Sequence, residues 1–444
     1  MGKRFLISLG LIIAMVAAVG GGAALIFHTN YQDVSSLQNQ ASNDNTNNFG
    51  QPQLPTISAA PASPIAPAPE SQPEEAPEEA PAVQADSAVE PGNGSLSRAK
   101  ALAEGMTLQE KISQLLFVTP EALTQYSRVI QSGEATQEAF DQYPVGGIIY
   151  FSDNLVTMDQ TKEMIEDIQR YARERSGFGL FIGVDEEGGS VARLADNLGT
   201  TEFQDMSVYG QEGDPQKAYE IGTTLSADLK ALGFNVDFAP VADVVTNDEN
   251  TVVKDRSFGS DPELVASMVS QEVKGFVDSG VLCAPKHFPG HGSTGGDTHD
   301  GFVSTDRTLE ELQACDFKPF QAAIDAGAPI IMVGHMTMTA IDSENPASLS
   351  SAVVTGLLRE QLGYQGIIIT DGMDMGAITD LYTSGEATVK ALQAGCDMVL
   401  CISNVEGAVD AVTQAVEEGT LSEERITQSV ERILSAKLQY GIAS

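Results

Sequence analysis

From residue 98 onward, short apolar runs rich in β-branched residues alternate with longer segments whose apolar positions recur every three or four residues. Few folds accept that alternation, because strands joined by helices pair in parallel and need both faces of their sheet covered. The strand-like runs lie at 115–118, 147–151, 180–184, 235–239, 281–286, 330–334, 367–370 and 398–402. Helical spacing fills 158–171, 216–232, 261–280 and 309–327, and several of these segments end in Gly, a residue that stops helices. Eight strands in roughly 350 residues fit a (β/α)8 barrel of the TIM type, although an open doubly wound sheet shares the alternation. Polar residues tip the balance toward the barrel, where functional groups come from the C-terminal ends of several strands. Here Asp185 to Arg193 follow the third run, Asp243 and Arg256 the fourth, Lys286 to His299 the fifth, His335 the sixth and Asp371 the seventh.

The segment after the fifth run, KHFPGHGSTGGDTH at 286–299, holds three of the five histidines. Pro289 and the glycines at 290, 292, 295 and 296 keep it out of regular structure, so it is expected as a loop on a strand end. Three readings compete. His287 and His291 have the spacing of a paired metal site, but Pro289 and Gly290 remove the helix that spacing requires. The histidines can instead simply bind backbone within a structural loop. In the third reading, Asp297 holds one nitrogen of His299 and leaves the other to face a substrate.

The composition before residue 97 differs sharply. Lys3 and Arg4 precede an uncharged apolar stretch at 5–27, about 23 residues and so long enough to cross a bilayer, with the positive end inside. We expect residues 1–27 to be a transmembrane signal anchor and 97–444 to lie outside a cell membrane as a single-pass protein, or to be secreted after cleavage. Residues 28–96 contain no Lys or Arg and pass into a Pro/Ala/Glu-rich run, which reads as a disordered stalk. The net charge of −38 leaves no basic face for nucleic acid. Cys283, Cys315, Cys396 and Cys401 show no disulfide or metal spacing and read as small core residues, with one disulfide left open by the exported setting.

These residues resemble glycoside hydrolase family 3, in its bacterial β-N-acetylglucosaminidase branch. The likeness rests on KHFPGHG-x-T-x-x-D-x-H at 286–299, with VGGIIYFSDN at 145–154, DEEGGSVAR at 185–193, GFNVDFAPVADV at 233–244 and DRSFG at 255–259, in the family's order. It implies a barrel that releases terminal β-linked N-acetylglucosamine with retention. We expect no metal or cofactor, and the polar strand ends together with the export anchor lead us to expect peptidoglycan fragments as the natural substrate. By position the resemblance implies Asp371 as nucleophile and His299, paired with Asp297, as acid/base. It also implies Asp185, Arg193, Arg256, Lys286, His287 and His335 around the sugar. A retaining glycosidase needs one ionised group and one proton carrier, and an imidazole titrating near neutrality suits the second task.

The chain departs from the branch at Ser293, where Asp is usual, and at Gly372, where an acidic residue or Ala often follows the nucleophile. No second α/β domain is expected after the barrel, so every catalytic group is expected from the barrel itself or from a partner subunit. The alternatives are a β-glucosidase or β-xylosidase of the same family, a phosphorylase, or a non-catalytic wall-binding module.

Overall fold

The computed structural model describes residues 91–299 and 301–443. The anchor expected at 1–27 and residues 28–90 of the stalk expected at 28–96 lie outside the described residues, whereas residues 91–96 of that stretch fall in a helix, Pro91–Glu104, rather than in a disordered stalk. Among the described residues, no helix is long and apolar enough to cross a membrane.

All eight expected strands form: β1 (Leu116–Val118), β2 (Gly147–Ile149), β3 (Phe181–Val184), β4 (Val236–Asp237), β5 (Leu282–Cys283), β6 (Ile330–Val333), β7 (Ile367–Gly372) and β8 (Met398–Leu400). They pair in parallel in the order β5-β4-β3-β2-β1-β8-β7-β6. Beyond β5 the two edges meet: the Phe288 amide donates to the Met332 carbonyl (2.9 Å), the Met332 amide to Pro285 (3.1 Å) and the Gly334 amide to Phe288 (3.0 Å). The sheet thus nearly closes into a barrel. Strands β4 and β5 are shorter than their apolar runs because Pro240 and Pro285 supply no N–H for regular pairing.

Helices α1 (Pro91–Glu104), α2 (Glu134–Gln142), α3 (Met158–Ser176), α4 (Pro215–Leu232), α5 (Pro262–Asp278), α6 (Leu309–Ala314), α7 (Phe317–Asp325), α8 (Ala352–Gln361), α9 (Ser384–Ala394), α10 (Val405–Glu417) and α11 (Glu423–Gln439) account for most of the rest. Their ends follow from local sequence. Asp214 and Asp261 cap α4 and α5 through the amides of Gln216 and Glu263, and each is followed by a Pro whose missing N–H is not needed there. The segment expected as one helix at 309–327 is two, α6 and α7, parted at Cys315 and Asp316. Pro319 causes the break: it has no N–H to give the Cys315 carbonyl, and its ring would strike that carbonyl in a continuous helix.

The barrel is filled rather than hollow. Phe117 of β1 crosses its interior, edge-on to Phe238 with ring centroids 5.3 Å apart. Gly147 and Gly183 make room for that ring, since a Cβ on either would lie within 2.8 Å of it. All four cysteines are free, and three are buried as expected of small core residues.

Candidate active site

The loops at the C-terminal ends of the strands enclose a cavity of about 460 Å3. Asp185, Arg193, Arg256, Lys286, His287, His299 and Asp371 all line it. Residues up to 186 positions apart in sequence therefore meet because parallel strands deliver their ends to one face.

On one wall, Lys286 Nζ lies 2.7 Å from Asp185 Oδ1 and 2.6 Å from Glu187 Oε1. Arg256 grips Glu187 with two parallel bonds of 2.7 Å, from Nε to Oε2 and from Nη2 to Oε1. Burial pushes the Glu187 carboxyl up, but the two cations outweigh it and hold the group far below the carboxylate range. Burial pushes the Lys286 amine down; Asp185 and Glu187 outweigh that and hold it protonated. Arg193 extends the same network, with Nη2 3.7 Å from Asp185 Oδ2 and its guanidinium 5.2 Å from the Phe151 ring centre. Its buried Nε has no hydrogen-bond partner among the described residues. Such a lattice presents fixed donors and acceptors of the kind that orient sugar hydroxyls.

Sequence reasoning did not single out Glu187. The DEEGG run shows three acids in a row, and only the fold separates their tasks. The short hairpin of Glu186–Gly188 and Val191–Ala192 turns Glu187 into the cavity. Glu186 points away, accepting from the amides of Leu194 (2.6 Å) and Ala195 (3.2 Å).

Asp243 organises the histidine loop from beneath. Its Oδ2 lies 2.7 Å from His287 Nδ1, and its Oδ1 accepts from the amides of His291 (2.6 Å) and His287 (3.3 Å). Burial raises its pKa to about 6, so at neutral pH it is an anion that receives the Nδ1 proton. Burial also keeps His287 neutral, its pKa well below the usual histidine value. With Nδ1 protonated toward Asp243, the other ring nitrogen is a bare acceptor on the cavity side.

Further along the loop the expected pair forms. His299 Nδ1 lies 2.8 Å from Asp297 Oδ1, which also accepts the His299 amide at 2.9 Å. His299 is 68% exposed, and its free nitrogen remains open to a ligand. The loop's end is tied to the turn after β7, where the Ala377 amide donates to Thr298 (3.1 Å) and the Gly376 amide to His299 (3.3 Å). That junction links the acid/base candidate to the strand carrying Asp371.

Asp371 Oδ1 accepts the Gly372 amide at 2.8 Å. Burial pushes its carboxyl up, but His287, His335, the Gly372 amide and Lys286 together hold it below the ordinary Asp value. As both imidazoles are neutral at pH 7, the Gly372 amide and the Lys286 ammonium are the groups that oppose burial there. Asp371 is thus an anion facing the cavity.

His335 takes a different place from the one expected. Its Nδ1 meets Ser348 Oγ (2.8 Å) and its Nε2 meets the Gly372 carbonyl (2.9 Å), so neither nitrogen is free for a sugar. It is a strut that holds the backbone beside Asp371. Both sequence departures also find a setting: Ser293 donates to Thr305 Oγ1 (3.0 Å), and Gly372 leaves room for Asp374, whose Oδ1 would lie 2.9 Å from a Cβ at that position. The His287 and His291 rings meet edge to face at 5.7 Å, with their Nδ1 atoms taken by Asp243 and Thr294, so the metal spacing is used for loop structure.

The family model described as the glycosyl hydrolase family 3 N terminal domain matches residues 107–436. The chain is 34% identical over 334 residues to beta-hexosaminidase A of Pseudoalteromonas piscicida, covering 69% of this chain and 56% of that protein. It is 33% identical over 337 residues to beta-hexosaminidase LpqI of Mycobacterium tuberculosis, covering 74% of this chain and 82% of that one. The solved glycoside hydrolase family 3 beta-N-acetylglucosaminidase of Paenibacillus sp. superposes with a TM-score of 0.72 at 37% identity, over 77% of this chain and 64% of that structure. The chain thus spans little more than half the length of the first relative and most of the second.

Proposed function

The chain belongs to glycosyl hydrolase family 3, and we propose that this glycoside hydrolase is an exo-acting, retaining β-N-acetylglucosaminidase. The observation that carries the reading is the meeting, in one cavity, of an ionised Asp371 and a carboxylate-paired His299, beside the Lys286, Arg256 and Asp185 network. The beta-hexosaminidase relatives support the choice of amino sugar.

In this mechanism Asp371 attacks the anomeric carbon while protonated His299 gives its proton to the departing oxygen. The bond to the leaving group breaks as the Asp371–sugar bond forms. His299, now neutral, takes a proton from water, and that water displaces Asp371 from the same face the leaving group left. Asp297 fixes the ring through Nδ1 and stabilises its charged form in the first step. The network around Lys286 and the acceptor nitrogen of His287 hold the sugar hydroxyls.

The test is release of the aryl group from an aryl β-N-acetylglucosaminide. We expect Asp371→Asn to lower kcat by at least about 10³-fold, as loss of a nucleophile does. A fluorinated N-acetylglucosamine analogue should label Asp371, read by peptide mass spectrometry; label elsewhere overturns the assignment. Comparison with the aryl β-glucoside separates this reading from a β-glucosidase.

We also propose peptidoglycan fragments as the natural substrate and membrane attachment through 5–27, supported by that apolar stretch after Lys3 and Arg4. Recovery of the full-length protein wholly in the soluble fraction argues against attachment.

A further inference from the structure

His291 belongs to the cavity wall, yet the mechanism above gives its outer nitrogen nothing to do. The residue is 2% exposed and tightly placed. Its amide donates to Asp243 Oδ1, its carbonyl accepts from Asn250 Nδ2 (3.0 Å) and its Nδ1 lies 2.8 Å from Thr294 Oγ1. Its Nε2, by contrast, is buried and has no hydrogen-bond partner among the described residues. Buried polar atoms are nearly always paired, so a ring held this firmly with one nitrogen unanswered is set to receive a group from outside the protein.

We infer that His291 Nε2 binds a hydroxyl of the sugar held in this cavity, which makes His291 a specificity-determining residue beside His287; this rests on the glycosidase reading above. The choice of a hydroxyl follows from the Thr294 side chain. Its oxygen lies within reach of both His291 Nδ1 (2.8 Å) and the His291 carbonyl (2.9 Å). If it donates to the carbonyl, Nδ1 carries the proton and Nε2 is an acceptor. If it donates to Nδ1, Nε2 is the donor. A hydroxyl answers either tautomer because it donates and accepts, whereas an acetamido N–H or C=O answers only one. Asp243 joins this contact to the rest of the site, since it holds the His291 amide and the His287 ring with its two oxygens.

The experiment uses His291→Asn, which keeps a polar atom near the Nδ1 position for Thr294 but has nothing at Nε2, and His291→Gln, which reaches the Nε2 position instead. Each is assayed with the wild type on aryl β-N-acetylglucosaminide and on its 3-, 4- and 6-deoxy analogues. We expect His291→Asn to lose about tenfold or more in kcat/KM on the parent substrate, with His291→Gln losing less. On one deoxy analogue the difference between wild type and His291→Asn should vanish, which identifies the hydroxyl bound. An equal loss on all four substrates means that His291 only shapes the loop, and overturns the inference. So does a shifted pH profile without coupling to any hydroxyl, which would put His291 in service of Asp297 and His299. If the wild type cleaves only aryl glucosides, the amino-sugar reading falls while the same coupling is read on deoxyglucosides. Turnover of neither substrate removes both.

Discussion

At the scale of single residues, the site is a set of charges whose states are fixed by burial and by immediate neighbours. The Asp371 carboxyl is held below the ordinary Asp value. Asp243 behaves oppositely: burial lifts its pKa to about 6, so its charge is present above that pH and lost as pH falls through it. Protonation would remove the anion that receives the His287 ring and the amides of His287 and His291. We therefore expect kcat/KM to fall below about pH 6 through Asp243 rather than through the nucleophile. In Asp243→Asn that limb should disappear from the pH–rate profile, with activity reduced at all pH values because the His287 tautomer is no longer set. An acid limb that survives unchanged in the variant belongs to another group.

At the scale of elements, the histidine loop works because its glycines allow backbone to lie on backbone. A Cβ on Gly292 would stand 2.0 Å from the Val244 carbonyl oxygen, with no flexible side chain to yield. The Thr246 and Asn247 amides both donate to the Gly292 carbonyl at 3.1 Å, so the loop cannot shift without losing them. Gly292→Ala should destabilise the fold by about 1–3 kcal/mol and displace the segment leading to His299. Thermal unfolding checks the first effect, and aryl N-acetylglucosaminide turnover falling by more than the unfolded fraction explains checks the second. The alternation of runs made all eight strands legible, and the Pro/Gly content made this loop legible, because both are local patterns. The Glu186–Ala192 hairpin was not, as five residues of strand carry too little periodicity to register. Glu187 stayed hidden among three adjacent acids for the same reason. His335 shows the complementary limit: its position at a strand end was readable, but the Ser348 and Gly372 groups that occupy its nitrogens come from distant sequence.

At the scale of the whole molecule, function gathers at one end of the barrel and stability at the other, as the strand polarity dictates. At the end opposite the cavity, Lys437 of α11 is fully buried, with Nζ 2.9 Å from Gln114 Oε1 and 5.1 Å from the ring centres of both Phe178 and Phe181. It holds α11 onto the barrel floor without a carboxylate partner among the described residues. Burial lowers its pKa from 10.5 to about 7. That shift corresponds to about 5 kcal/mol of protonation energy, an upper bound here because two aromatic faces return part of it when the amine is charged. The sign follows from the depressed value. Between pH 7 and 10.5 the unfolded chain binds the proton and the folded chain does not, so this residue's contribution to stability rises with pH across that window. Below about pH 7 both states are protonated and the full penalty stands. Lys437→Met keeps the aliphatic stem and removes the ionisation. We expect the variant to melt above the wild type at pH 6, with the gap shrinking steadily toward pH 10. Thermal unfolding of both proteins at pH 6, 8 and 10 measures it. A gap that does not change with pH would mean that the two rings and Gln114 keep the ammonium charged throughout, and that the C-terminal helix is held down by a cation rather than by a neutral amine.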